Sequence, residues 1–179
     1  MKPRPTQYIL GLGSNLGNRE DYLAKALKAI GLITGTEILA ISPAVDSDPV
    51  GYADQPNFLN LCGLITSELN GHELIAQTLA IEAQLGRVRT AERNGPRCVD
   101  IDILFQSQGT IDSPELTLPH PRWSSRSFVI IPLRHLLQTP PLATDPQWAW
   151  LRTEVAGLPT SSAGLRAWNG PTPWNLPTS

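Results

Sequence analysis

The stretch ERNGPRCVDIDILF, Glu92 to Phe105, sets two aspartates into what otherwise reads as a buried apolar strand. Residues two apart on an extended strand point the same way. Asp100 and Asp102 therefore share one face, while Val99, Ile101 and Ile103 share the other and enter a core. Two carboxylates about 6–7 Å apart on one face repel each other unless a cation lies between them. Magnesium, a hard ion commonly held by one or two carboxylates plus substrate phosphates, suits such a pair. A bare D-x-D is equally what a solvent-facing strand with two ordinary acids would show.

The segment leading into the strand tips that balance. Arg87, Arg89, Arg93 and Arg97 crowd a run that also carries Gly86, Gly95 and Pro96. Guanidinium forks match phosphate oxygens bidentately and keep their charge. A glycine-broken loop can carry them toward a ligand and away again. Ion pairing with Glu82 and Glu92 would use one or two of these arginines, not four beside a diacid strand. Together they predict a site for magnesium and a polyphosphate. His120, held between Pro119 and Pro121 and followed by Arg122 and Arg126, is a further candidate phosphate donor; His72 and His135 sit in helical contexts and read as structural.

Working outward, Tyr8–Leu12 is a strand ended by the turn in GLGSNLG. That glycine run is neither the dinucleotide nor the Walker pattern and reads as a structural turn, with Asn15 or Asn18 near the next helix start. Tyr22, Ala26, Ala29, Ile30 and Ile33 recur at helical spacing. Glu37–Val45 and Phe58–Ile65 are strands that could pair. In the second, Leu59, Leu61, Gly63 and Ile65 take one face, and Phe58, Asn60, Cys62 and Leu64 the other. Leu74, Ile75, Thr78, Leu79, Glu82 and Leu85 mark an amphipathic helix stopped by Gly86, and Ser124–Leu137 is a third helix. Strand, helix, two strands, helix, strand, helix predicts an α+β split βαβ sandwich, a mixed or antiparallel sheet with helices packed on it.

Residues 1–137 thus form one domain. From 138 to 179 prolines and tryptophans dominate, among them Trp148, Trp150, Trp168 and Trp174. Proline at that density opposes long regular elements, and the tryptophans imply a partly docked tail. Over 179 residues the net charge is only −2, which leaves no basic field for generic nucleic-acid binding. No apolar run approaches the ~20 residues needed to cross a bilayer. MKPRPTQYIL lacks a signal-peptide core, and Cys62 and Cys98 lack ligand spacing, so a cytoplasmic chain with reduced thiols is expected.

Four blocks in order, GLGSNLG, DQPNFLN, EAQLGRVRTAERNGPRCVDIDILF and LPHPRWSSRSFVIIPL, closely resemble the 6-hydroxymethyl-7,8-dihydropterin pyrophosphokinases of folate biosynthesis. The resemblance runs from about Tyr8 to Leu137 and leaves out the tail. It implies a ferredoxin-like fold and transfer of pyrophosphate from ATP to the hydroxymethyl of a reduced pterin, releasing AMP. It implies two magnesium ions on Asp100 and Asp102, and Arg87 and Arg89 on a mobile catalytic loop. Arg97, His120 and Arg126 would contact phosphates, with Glu82 at the nucleotide end of its helix. Asn60 would read the pterin edge, Phe58 and Phe128 would sandwich the ring, and Ser47, Val50 and Gly51 would give backbone contacts.

The partners expected are the small pterin and ATP, with no nucleic acid or membrane, acting on a monomer. Cys98 and Val99 stand where the family usually has Thr and Ile or Leu. Asn94 replaces a frequent aromatic, Asp48 a proline, and Phe58 a frequent tyrosine. An RNA-binding module on the same sandwich is the alternative; it leaves the paired acids unexplained. A magnesium nucleotidyltransferase would share the diacid strand but release pyrophosphate.

Overall fold

The computed structural model describes residues 5–88, 95–159 and 161–174. Its strands are β1 (Thr6–Ser14), β2 (Thr36–Ile41), β3 (Val45–Ser47), β4 (Phe58–Ser67), β5 (Asp100–Gln106), β6 (Ile111–Asp112), β7 (Thr117–Leu118) and β8 (Leu165–Ala167). Its helices are α1 (Arg19–Gly31), α2 (Gly71–Gln84), α3 (Ser127–Leu137) and α4 (Ala149–Gly157).

The main sheet runs β5-β1-β4-β3-β8, with β2 beside β3 on the same edge of β4. Every pairing in it is antiparallel, which settles the choice left open between mixed and antiparallel. β1 and β2 flank β4, and β4 and β5 flank β1, so two split βαβ units interleave through α1 and α2. β6 and β7 form a separate small hairpin.

Side-chain alternation divides the sheet into two cores. Tyr8, Leu10 and Leu12 of β1, Leu59, Leu61 and Ile65 of β4, and Ile101 and Ile103 of β5 meet α1 and α2 on one face. Ile9, Cys62, Leu64, Leu104 and Phe105 meet α3 and α4 on the other. Asn18 caps α1 by accepting from the Asp21 N–H, and Asn70 with Glu73 forms a capping box on α2. In α1 the buried stripe is Leu23, Ala26, Leu27 and Ile30, rotated from the one expected through Tyr22 and Ala29. Alanines are weak markers of a face because they burn little area either way, so Leu23 and Leu27 decide the rotation.

Among its described residues, the segment after Gln138 holds one regular helix, α4, despite its prolines. Trp148 is fully buried against α3, and its indole N–H donates to the Gln7 side-chain oxygen at 2.7 Å. The chain then reaches the edge of the sheet as β8, and Trp174 ends up buried in the α1/α2 core. Among the described residues no helix is long and apolar enough to cross a membrane.

Candidate active site

α3 and α4 cover only part of their face of the sheet. The remainder is a cavity of about 240 Å³, open at the N-terminal end of α3. Its floor is the central strand β1, where Gly11 and Gly13 present no side chain. Gly11 lies opposite Asp102 on β5 and Cys62 on β4; Gly13 lies opposite Asp100 and Asn60. The bare strand is thus a gutter with the acids on one bank and Asn60 on the other. A β-carbon on Gly13 would come within 2.9 Å of the Asn60 Oδ1, so the glycine is what lets that amide lie over the strand.

On the acidic bank the alternation of β5 holds as expected. Val99, Ile101 and Ile103 are buried in the core, and Asp100 and Asp102 line the cavity. Arginines surround them. The Arg87 guanidinium bridges Asp100 Oδ1 and Glu82 Oε2, at 2.5 and 2.7 Å. Arg97 reaches Asp100 Oδ2 at 3.2 Å, and Arg126 reaches Asp102 Oδ2 at 3.4 Å. Glu82 is buried near the end of α2, where its Oε1 accepts the Ile101 N–H at 2.7 Å and so ties that helix to the strand between the two aspartates.

The charges are under tension in both signs. Burial, with Asp100 beside it, pushes the Asp102 carboxyl up to about 6 against the pull of Arg126 and Arg97. Burial, then the neighbouring Arg122, lowers Arg126 from the usual arginine value. Burial with Arg126 and Arg122 pushes His120 down to about 4, leaving a neutral imidazole at neutral pH. Its Nδ1 accepts the Arg122 N–H at 3.2 Å, which assigns the ring proton to Nε2.

Among the described residues no group of three or more His, Cys, Asp and Glu forms a metal cage. A pair of carboxylates at an open cavity fits a magnesium ion whose other ligands are phosphate oxygens and water.

On the other bank, Asn60 donates through Nδ2 to the Ser47 hydroxyl at 2.8 Å, which fixes the amide. Ser47, Asp48, Val50, Phe58 and Phe128 complete this half of the lining. The Arg97 guanidinium lies 5.2 Å from the centre of the Phe58 ring, and that of Arg126 lies 5.7 Å from the centre of Phe128. Each arginine therefore touches both halves.

Of the residues singled out from sequence, Asp100, Asp102, Arg97, Arg126, Ser47, Val50, Phe58, Asn60 and Phe128 line this one cavity. Arg87 and Glu82 stand behind Asp100, while Gly51 and His120 are outside the lining. Arg89, Glu92, Arg93 and Asn94 lie outside the described residues.

Sequence reasoning missed Gly11 and Gly13, taken as part of a turn but lying within β1, which runs on to Ser14. The signal was present: glycines two apart on a strand clear one face. It also missed Asn15, which does not cap α1. Asn15 accepts the Arg97 N–H through Oδ1 at 2.8 Å and donates through Nδ2 to Gln55 Oε1 and the Pro56 carbonyl, both at 2.9 Å. It thereby joins the loops on the two banks.

A family model described as 7,8-dihydro-6-hydroxymethylpterin-pyrophosphokinase matches residues 9–138. A Bacillus subtilis protein named 2-amino-4-hydroxy-6-hydroxymethyldihydropteridine pyrophosphokinase is 36% identical over 159 residues, 89% of this chain and 88% of its own. A match of that length extends into the tail, which the sequence blocks had left out. A Methylorubrum extorquens protein of the same name is 40% identical over 131 residues, 73% of this chain and 82% of its own. The solved Plasmodium falciparum HPPK-DHPS with pteroate is similar in fold, with a TM-score of 0.61 at 13% identity. The match covers 92% of this chain and 47% of that one, so this chain spans about half of it.

Proposed function

This chain belongs to the 7,8-dihydro-6-hydroxymethylpterin-pyrophosphokinase family, and from that premise we propose how its residues divide the work. The activity is transfer of a pyrophosphoryl group from ATP to the hydroxymethyl group of 6-hydroxymethyl-7,8-dihydropterin in folate synthesis. The hydroxymethyl oxygen bonds to the β-phosphorus as that phosphorus loses the oxygen bridging it to the α-phosphate, which leaves with AMP. The hydroxyl proton passes to water. Such transfer asks for positioning and charge neutralisation more than for covalent chemistry by the protein.

The observation that carries the assignment of residues is the two-signed tension around one cavity. Burial and the neighbouring Asp100 raise the Asp102 carboxyl, while burial and the neighbouring Arg122 lower Arg126 in the same lining. A ligand of phosphates with divalent cations relieves both. Asp100 and Asp102 would hold two magnesium ions, which neutralise phosphate charge when bound. Arg97 and Arg126 turn from the carboxylates to phosphate oxygens as those carboxylates gain other partners. Arg87 is released from Asp100 in the same way, with Glu82 keeping it near. His120 offers its Nε2 proton to a phosphate oxygen. Arg89 is assigned to the closing loop by resemblance alone.

On the other bank a flat pterin lies over the glycine gutter between Phe58 and Phe128, stacking worth ~1 kcal/mol per ring beyond burial. Asn60 reads its amide-like edge with donor and acceptor together. Ser47 holds Asn60 for that purpose, and backbone groups at Val50 and Gly51 close the edge. We take the monomer as the working unit. It operates in the cytoplasm, where ATP is supplied and Cys62 and Cys98 stay reduced.

The test is an assay with magnesium, ATP and the hydroxymethyl-dihydropterin. AMP should form one-for-one with pterin diphosphate, and Asp102→Ala should abolish it. ADP as the product, or pyrophosphate release, would refute the reaction; full turnover by Asp102→Ala would refute the metal-site assignment.

A further inference from the structure

We propose that the C-terminal strand β8 is a positioning element of the ring half of the site, holding the walls of the pterin pocket through Asp46 and Asp48. The inference rests on the reading of that half as the pterin pocket.

β8 pairs antiparallel with β3, placing Leu165 opposite Ser47, Arg166 opposite Asp46 and Ala167 opposite Val45. Ser47 is the residue that fixes Asn60, and Asp48 lines the cavity itself. The contacts of the tail converge on Asp46 and Asp48, the residues on either side of Ser47. Arg166 donates to Asp46 Oδ1 through Nε at 3.0 Å and Nη2 at 2.7 Å, and to Asp48 Oδ1 through Nη2 at 2.7 Å. The Asp48 N–H donates to the Gly164 carbonyl at 2.8 Å. Gly164 has φ +68°, and a β-carbon there would stand 2.9 Å from Asp48 Oδ2, so this position favours glycine.

Asp46 is the hub behind the pocket. Its Oδ2 accepts from Arg19 at 2.8 Å and its Oδ1 from the Asn57 amide at 3.1 Å, one residue before Phe58. Arg19 also donates to the Asn57 carbonyl at 3.0 Å. Trp168, two residues beyond Arg166, lies under the Arg19 guanidinium at 5.2 Å. Burial works to raise the Asp46 carboxyl, yet Arg19 and Arg166 outweigh it and hold it below the usual value. Two tail residues thus grip both arms of a network whose ends are Ser47 and Phe58. A single exposed ion pair contributes little. One guanidinium shared by two acids, on a backbone already paired to theirs, loses less entropy on forming and fixes direction.

The experiment is steady-state kinetics on the full chain, with the KM of each substrate and kcat measured separately, alongside thermal melts. Arg166→Ala should raise the KM for the pterin about fivefold, with the KM for ATP and kcat changed by less than about twofold. Arg166→Lys, which keeps the charge but not the fork, should restore part of the loss. Gly164→Val, which drives β8 off Asp48, should repeat the Arg166→Ala pattern. An unchanged pterin KM in Arg166→Ala overturns the proposal. So does a joint change in both KM values and kcat with a lowered Tm, the mark of general loosening. Asn60→Ala serves as the control. If it raises the pterin KM while Arg166→Ala does not, the tail's role fails and the pocket stands; if it does not, the pocket reading itself fails.

Discussion

Replacing Asp102 with asparagine should stabilise the ligand-free chain while destroying its activity. The Asp102 carboxyl is pushed up to about 6 from 3.8, by burial first and by Asp100 second. A gap of about two pH units corresponds to ~3 kcal/mol at ~1.4 kcal/mol each. That is a ceiling. The side chain is 34% exposed, and solvent screening brings the expectation to about 1 kcal/mol.

The sign follows from proton counting. With the folded value above the unfolded one, the native state binds more protons at this group between 3.8 and about 6, so the stability it contributes falls as pH rises through that window. Asparagine has no such group, and its oxygen still accepts from Arg126. The Tm difference between variant and wild type should be near zero at the acid end, open through the window and level off at about 2–4 °C by neutral pH. Melts of both proteins in magnesium-free buffer across that range would measure it. A variant no more stable than wild type at pH 7, or a gain that ignores pH, would refute the electrostatic reasoning. Addition of magnesium and ATP should reverse the order, because only the wild type keeps both carboxylates.

Three other outcomes follow from the geometry. Trp148→Ala removes a fully buried indole and its bond to Gln7, and should cost about 3–5 kcal/mol in denaturant melts, with kcat of the folded protein little changed. Gly13→Ala sets a β-carbon 2.9 Å from Asn60 Oδ1, so the pterin KM should rise well before Tm falls. His120 is held at about 4 against an ordinary 6.5, so its own contribution to stability, opposite in slope to that of Asp102, is lost as pH falls through that interval; in the same melts the Tm of His120→Gln relative to wild type should rise as pH drops across it.

The most local features were the most legible. The period of two on β5 separated Asp100 and Asp102 from Val99, Ile101 and Ile103 because strand alternation needs no partner to be read. Clustering alone flagged the arginines. What escaped depends on pairing over distance. β8 meets β3 across some 120 residues, and nothing in the run LRA says so. Asp48, seen only as a departure from the family pattern, acquires its partners from that tail. Gly11 and Gly13 were hidden for another reason: glycine is expected at turns, and its use as cleared space shows only when the neighbouring strands are in place. The rotation of α1 escaped because a stripe of alanines fits two faces almost equally.

The path of the last described residues has a consequence for how the molecule comes apart. Trp148 is anchored among α3 and α4, whereas Trp174 is sunk between α1 and the sheet on the opposite side. One covalent run therefore clasps both hydrophobic layers around a shared border. Neither layer can melt without dragging on the other, so loss of structure should proceed as a single cooperative transition, with the two layers failing together.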